Sequence, residues 1–149
     1  MTLSLPFALL CLSRLAFGVP PDAPGSGDPT VRIEVPTAPV HEGEAIGFVV
    51  VEGVDGAISV DACSPIEVEQ ESGRKWLSRA VTECERGMPA SAIDGKLTIA
   101  VRAPGIGTYR AVLAWGTGCA PGYPLATATC QRLGTAVSAP VTVTAPPAK

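Results

Sequence analysis

The sequence predicts an all-β chain folded as an antiparallel β-sandwich of about seven to nine strands, held by two disulfides. Three observations lead to this prediction. Short apolar runs with a two-residue period are separated by turn signals about every 8–12 residues. The composition favours strand and turn formers, with 16 glycines and 15 prolines among 149 residues. Five cysteines, one of them in an apolar leader, leave an even number for disulfides in the body.

Residues 1–18 are predicted to be a signal peptide. The apolar run Leu3–Leu12 is too short for a bilayer-spanning helix of about 20 residues and suits a signal-peptide core of about 7–15 residues. Ala16 and Gly18 supply small residues for cleavage after residue 18. We therefore expect a secreted or periplasmic protein without a membrane span. A lipid anchor through Cys11, or a leader that instead forms the first buried strand, are the alternatives.

The rest of the chain is long enough for one domain. Residues 19–30 are rich in Pro, Gly and Asp and are predicted to be a flexible linker. Residues 31–144 carry the strand pattern and are predicted to form the sandwich, which leaves residues 145–149 as a disordered tail.

The first half of the domain contains five predicted strands. Val31–Val35 alternates apolar and charged residues, which indicates a half-buried strand. Ala45–Val51 is apolar nearly throughout and is predicted to be a central strand buried from both sides. Ile58–Ala62, Ile66–Glu71 and Lys75–Val81 follow, and the last two form a hairpin.

The side chains of this hairpin favour a three-residue loop, Ser72–Arg74. Residues that pair across a hairpin share a face, so the loop length decides which side Trp76 takes. A loop of three places Trp76 on the apolar face of Val68. It also leaves Lys75 and Arg79 beside Glu67 and Glu71 on the other face, which explains the three alternating glutamates of this strand without a calcium ion.

The second half contains three further strands, around Leu97–Val101, Ala111–Trp115 and Ala136–Thr144. A long polar connection, residues 116–133, separates the last two. Before it, Gly107-Thr108-Tyr109-Arg110 leads into the penultimate strand and resembles the tyrosine corner of Ig-like domains, where the phenol binds backbone upstream.

The wider pattern resembles bacterial extracellular Ig-like domains over most of residues 31–144. The resemblance implies an Ig-like β-sandwich that serves as a spacer, an adhesive surface or an accessory domain. The cysteines do not occupy the central inter-sheet positions of antibody-type domains, so no antigen-receptor-like function is implied. The segments that carry the resemblance are Gly43-Glu44, Cys63–Glu69, Gly73–Trp76, Cys84, Gly105–Arg110 and Ser138–Val143.

Four body cysteines, Cys63, Cys84, Cys119 and Cys130, allow three pairings. We favour Cys63–Cys84, which flanks the hairpin, and Cys119–Cys130, which brackets one loop. A redox or zinc site is not favoured, because the cysteines form no Cys-x-x-Cys motif and have no neighbouring histidine. We expect neither a metal nor a cofactor.

The remaining chemistry is sparse. The single histidine, His41, lies in a polar turn, and no Gly-x-Ser-x-Gly elbow accompanies it. A net charge of −3 without a basic cluster excludes a nucleic-acid-binding protein. An enzyme that uses carboxylates such as Asp61 or Glu67 in a cleft is a remaining alternative, but we expect no enzymatic activity.

The best candidate for binding is the loop 116–133, because a disulfide-pinned loop is preorganised. Within and beside it, Tyr123 and Trp115 are the candidate contact residues. The sequence therefore predicts an exported, non-enzymatic domain with a binding, adhesive or structural role toward another protein or a cell-surface glycan. The alternative is a secreted protease inhibitor that presents the same loop.

Overall fold

The computed structural model describes residues 31–53, 56–79 and 88–148. All regular structure in these residues is β-strand, as predicted, and no segment is a helix that could cross a membrane. The leader and linker predictions, residue 149 and the Cys63–Cys84 bridge involve residues outside this part of the chain. The strands are β1 Val31–Glu34, β2 Val40–His41, β3 Ala45–Glu52, β4 Ile58–Val60, β5 Glu67–Ser72, β6 Lys75–Arg79, β7 Ser91–Ile93, β8 Lys96–Arg102, β9 Gly107–Thr117, β10 Arg132–Val137 and β11 Val141–Thr144.

The described strands form two sheets, of three and eight strands, in an arrangement consistent with a β-sandwich. The small sheet has the order β1-β3-β8, and the large sheet runs β2-β11-β9-β4-β7, with β10 and the β5–β6 hairpin also paired along β9. The described strands number eleven rather than seven to nine, because β2 and β7 are very short and the last predicted strand is divided into β10 and β11.

One strand pair departs from the predicted antiparallel arrangement, because β2 pairs with β11 in parallel. The chain leaves the small sheet after β1 and joins the large sheet at β2, and its direction there matches that of β11. The register places Val40 opposite Val143 and His41 opposite Thr144.

Strand β9 is the centre of the large sheet, with two strands in succession along each of its edges. β4 and then β5 pair with one edge, and β10 and then β11 pair with the other. Where β10 gives way to β11, the buried Ser138 maintains the ladder. Its N–H donates to the Ala111 carbonyl, and its Oγ accepts from the Ala111 N–H, both at 2.9 Å.

The core lies between the two sheets and is built from alternate residues of their central strands. Tyr109, Ala111, Leu113 and Trp115 of β9 are all 0% exposed. From the small sheet, β3 contributes Ile46, Phe48 and Val50. The prediction that β3 is buried from both sides holds at Val51 but not along the rest of the strand, because on this second face Ala45 is exposed and Gly47 and Val49 are half-buried.

The predicted hairpin register is also wrong. Ser72 pairs with Lys75, which leaves a two-residue loop instead of three, and Trp76 pairs with Glu71 instead of sharing the face of Val68. Gly73, the first loop residue, has a φ of 64°, as a type II′ hairpin turn requires. Trp76 therefore lies on the outer face of the large sheet with the glutamates.

The outer position of Trp76 is stabilised by Arg110 of β9. The Arg110 guanidinium lies 4.4 Å from the centre of the indole ring and donates a 2.6 Å hydrogen bond to Glu69. The Arg110 cation over the ring replaces the apolar contacts that Trp76 was expected to make in the core.

The predicted pairing of Arg79 with the glutamates is not found among the described residues. Arg79 lies on the inner side of the hairpin, where its Nε donates a hydrogen bond to Gln70.

Candidate functional site

The connection between β9 and β10 is a fourteen-residue loop, residues 118–131, closed by the predicted disulfide Cys119–Cys130. It is shorter than the predicted segment 116–133, because Thr117 pairs with Arg132 and extends both strands. The loop therefore leaves the end of the large sheet from two strands that are paired up to its base.

Backbone hydrogen bonds hold the loop at several points. The Ala120 N–H donates to the Thr129 carbonyl at 2.9 Å, which continues the cross-strand contact beyond the disulfide. The Pro124 carbonyl accepts from the N–H groups of residues 127 and 128 and closes a turn. From outside the loop, the Ala90 N–H donates to the Tyr123 carbonyl at 2.9 Å. The loop is thus fixed at its base, within itself and near its tip.

The disulfide packs against the outer face of β9 at Gly116. A Cβ atom added at Gly116 would lie 2.6 Å from the Cys119 sulfur and 2.9 Å from the Cys130 sulfur. Only glycine leaves room for this close approach. The loop is therefore seated on the outer face of the large sheet rather than extended from its end.

A cavity of about 450 Å³ lies beside this loop. One row of lining residues crosses three neighbouring strands and consists of Asp61, Ala114 and Thr135. Thr135 of β10 lies opposite Ala114 of β9. Asp61 directly follows the β4 residue that pairs with Trp115, the neighbour of Ala114. Most of the other lining residues are apolar. The lining residues are Asp61, Ala114, Trp115, Leu125, Ala126, Leu133, Gly134 and Thr135.

Of the lining residues within the described part of the chain, only Asp61 is charged. Its Oδ1 accepts hydrogen bonds of 3.0 Å from the N–H groups of Cys63 and Ser64, and this turn ends β4. Asp61 is exposed, so its carboxylate faces solvent at the cavity. Glu67, the other carboxylate considered for catalysis, is not among the lining residues.

The two predicted contact residues differ in exposure. Tyr123 is 57% exposed near the loop tip, whereas Trp115 is 0% exposed and belongs to the core. The Trp115 indole packs against Gly134, and the Arg132 guanidinium lies 5.4 Å from its ring centre. Among the described residues, its buried Nε1 has no hydrogen-bond partner. Trp115 can thus line the cavity, but its ring is not available for stacking on a ligand.

Leu125 and Leu133 are lining residues that the sequence reasoning missed. Leu125 is the only leucine in residues 118–131 and is 8% exposed, whereas Leu133 is 62% exposed at the start of β10. A single large apolar residue in a polar loop was the available signal for Leu125. For Leu133 no such signal existed, because its exposure depends on where the loop is seated.

The remaining polar candidates lie apart from the cavity. His41 is in β2, with its Nδ1 3.2 Å from Thr144 Oγ1. The Tyr109 hydroxyl donates to the Gly105 carbonyl at 2.9 Å, so the phenol binds backbone upstream, as expected. Within residues 31–53, 56–79 and 88–148, no three His, Cys, Asp or Glu side chains are grouped so that they could hold a metal ion.

The chain matches no protein-family model, no curated protein and no solved structure. Its function is therefore inferred from the loop, the cavity and their chemistry.

Proposed function

We propose that this chain is an exported, non-enzymatic Ig-like domain that binds a partner protein through the loop 118–131 and the adjoining cavity. The observation that carries the proposal is the combination of a pinned loop with an exposed aromatic residue, Tyr123, and an apolar cavity of about 450 Å³. Rigid loops bind with a smaller loss of conformational entropy, and tyrosine is enriched in protein interfaces.

Strand order supports the Ig-like assignment. In Ig-like sandwiches the first, second and fifth strands (A, B and E) share a sheet, and the C, F and G strands form the other. Here β1, β3 and β8 form the small sheet, while β9 is flanked by β5 and by β10–β11 in the large one. The Tyr109 hydrogen bond at the start of β9 occupies the place of the tyrosine corner near the start of strand F.

Export is supported by the state of the cysteines. Cys119–Cys130 is a disulfide, and Cys63 is disulfide-bonded as well. Disulfides persist in oxidising compartments, so these bonds favour a secreted or periplasmic location over the cytosol. We propose Cys84 as the partner of Cys63 and residues 1–18 as the signal peptide that directs export.

Loop geometry favours a binding domain over a protease inhibitor. A chain that occupies a protease cleft in an extended form needs free backbone groups for strand-like pairing. The Tyr123 carbonyl already accepts a hydrogen bond from the Ala90 N–H, and residues 124–128 form a turn.

The mainly apolar lining of the cavity favours a protein partner over a glycan.

Site-specific photo-crosslinking in the producing cell tests the proposal. Benzoylphenylalanine is placed at Tyr123 or, as a control, at Ile106. The two side chains are similarly exposed, Tyr123 at 57% and Ile106 at 56%, but Ile106 lies before β9 and outside the loop. We expect a discrete crosslinked protein from position 123 and none from position 106. Identical crosslinks from both positions, or none from position 123, would contradict the proposal.

A further inference from the structure

We propose that the cavity receives an apolar side chain of the partner protein whose neighbouring residue is a lysine or arginine, and that this cation pairs with Asp61. The inference rests on the proposed function, because it names the chemistry that the binding site would select. The expected ligand is a segment of a protein in which a basic residue neighbours an apolar one, not a free metabolite or a glycan.

The size and lining of the cavity argue for an apolar group. Sites that hold small ligands typically enclose about 300–1,000 Å³ and are lined mainly by apolar side chains. At about 450 Å³ this cavity lies at the lower end of that range, which suits one or two side chains. Leu125, Ala126 and Leu133 provide apolar walls from the loop and β10, and Ala114 lies on β9.

Charge complementarity argues for the cation. Among the described residues that line the cavity, Asp61 is the only charged one, and none of them is a lysine or arginine. Both hydrogen bonds that Asp61 accepts from described residues end on Oδ1. Within the part of the chain that the structure describes, Oδ2 therefore has no protein partner and can accept a charged donor from a ligand.

Exposed Tyr123 and Leu133 argue for a protein as the source of this chemistry. Leu133 is 62% exposed at the cavity wall and Tyr123 is 57% exposed outside the cavity, so both offer contact area beyond the one side chain that the cavity receives. A free amine small enough to enter the cavity would not need this additional surface. A peptide segment that places one side chain in the cavity can cover both residues with its neighbours.

Nuclear magnetic resonance titration of the ¹⁵N-labelled, disulfide-bonded chain tests the inference. The probes are three blocked tetrapeptides, acetyl-Gly-Phe-Lys-Gly-amide, its counterpart with Glu for Lys, and its counterpart with Gly for Phe. We expect the Phe-Lys peptide to shift the amide signals of Leu125, Ala126, Leu133 and Thr135. It should bind about two- to fivefold more tightly than the Phe-Glu peptide, as expected for a partly exposed ion pair. The Gly-Lys peptide should not bind.

Asp61→Asn is the decisive variant, because the amide keeps the Oδ1 acceptor of the turn while it removes the charge. We expect it to abolish the preference for Lys over Glu. Asp94→Asn is the matched control, since it removes the charge of another exposed aspartate and should keep the preference. The variant spectra also report whether the fold is intact.

Equal binding of the Lys and Glu peptides to the parent chain overturns the inference, as does an unchanged preference in Asp61→Asn. A complete lack of response up to the solubility limit of the peptides overturns it too. Shifts confined to the loop tip around Tyr123 overturn the cavity assignment and leave the proposed function standing. The proposed function fails separately, if position 123 captures no partner by crosslinking.

Discussion

The Tyr109 hydroxyl donates a 2.9 Å hydrogen bond to the carbonyl oxygen of Gly105, four residues earlier in the chain. This bond ties the start of β9 to the corner that precedes it. Tyr109→Phe should lower the free energy of unfolding by about 1 kcal/mol, the net contribution of one hydrogen bond. Urea denaturation measures the change, with the exposed Tyr123→Phe as a control expected to change nothing. An equal effect of both substitutions would contradict a structural role for the Gly105 bond.

Alkaline pH should destabilise the chain through the same residue. Burial raises the pKa of the Tyr109 hydroxyl above its ordinary value of 10.0, while Arg79 and the Gly105 bond lower it by less. The folded chain then holds this proton more tightly than the unfolded chain. The resulting stability is complete below pH 10 and is lost as the pH rises through the folded pKa. Thermal denaturation from pH 8 to 11 should therefore show a steeper decline for the parent than for Tyr109→Phe. Parallel curves would be inconsistent with this linkage.

Arg110 and Trp76 should stabilise the outer face of the large sheet jointly. The Arg110 guanidinium lies 4.4 Å from the centre of the Trp76 ring. It also forms an ion pair with Glu69, and both side chains of this pair are largely buried. A double-mutant cycle with Arg110→Met and Trp76→Leu should give a coupling free energy of about 0.5–1 kcal/mol. Additive effects of the two substitutions in urea denaturation would mean that the cation–π contact contributes nothing.

A side chain at Gly134 should destabilise the chain, because the Trp115 indole occupies the space. A Cβ atom there would lie 2.4 Å from Trp115 Cζ2. Gly134→Ala should therefore cost about 1–3 kcal/mol of unfolding free energy. Gly47→Ala is the matched control within a strand, since its Cβ would meet nothing within 4 Å, and it should be neutral or slightly stabilising. The explanation fails if calorimetry gives the two variants the same melting temperature.

The Cys119–Cys130 disulfide should stabilise the chain by about 2–4 kcal/mol, mainly because it restricts the unfolded loop. The bond spans 11 residues of sequence and covers Gly116 at the end of β9. Replacing both cysteines with serine should lower the urea midpoint correspondingly. It should also weaken binding of the Phe-Lys peptide, because the loop that carries Leu125 is no longer fixed. A variant with both properties unchanged would show that the loop is held by its backbone bonds alone.

Local sequence patterns were sufficient to predict most of the longer strands, the hydrogen bond from Tyr109 to backbone upstream and the Cys119–Cys130 pair. Two-residue alternation identified the strand segments around Val31, Ile58 and Leu97 because each has one face in the core. The disulfide was predictable because its two cysteines bracket one loop. These features depend on residues that are close in the chain.

The features that sequence reasoning missed depend on distant residues. The position of Trp76 is stabilised by Arg110, which belongs to another strand and lies far along the chain. The three-residue loop was predicted because it places Trp76 on the apolar face of Val68, whereas the hairpin has a two-residue loop. The cavity likewise forms where β4, β9, β10 and the loop meet, so neither Asp61 nor Leu125 reveals it alone. The glycine of the turn was the local signal that could have corrected the hairpin.

The arrangement around β9 has a consequence for how the chain opens. Four strands (β4, β5, β10 and β11) hydrogen-bond directly to β9, two along each edge. None of them can keep these bonds once β9 separates, so the middle of this strand can exchange its amide hydrogens only when most of the large sheet comes apart. Its amides, such as that of Leu113, should therefore be the last to acquire deuterium, and their exchange should report the global unfolding of the domain.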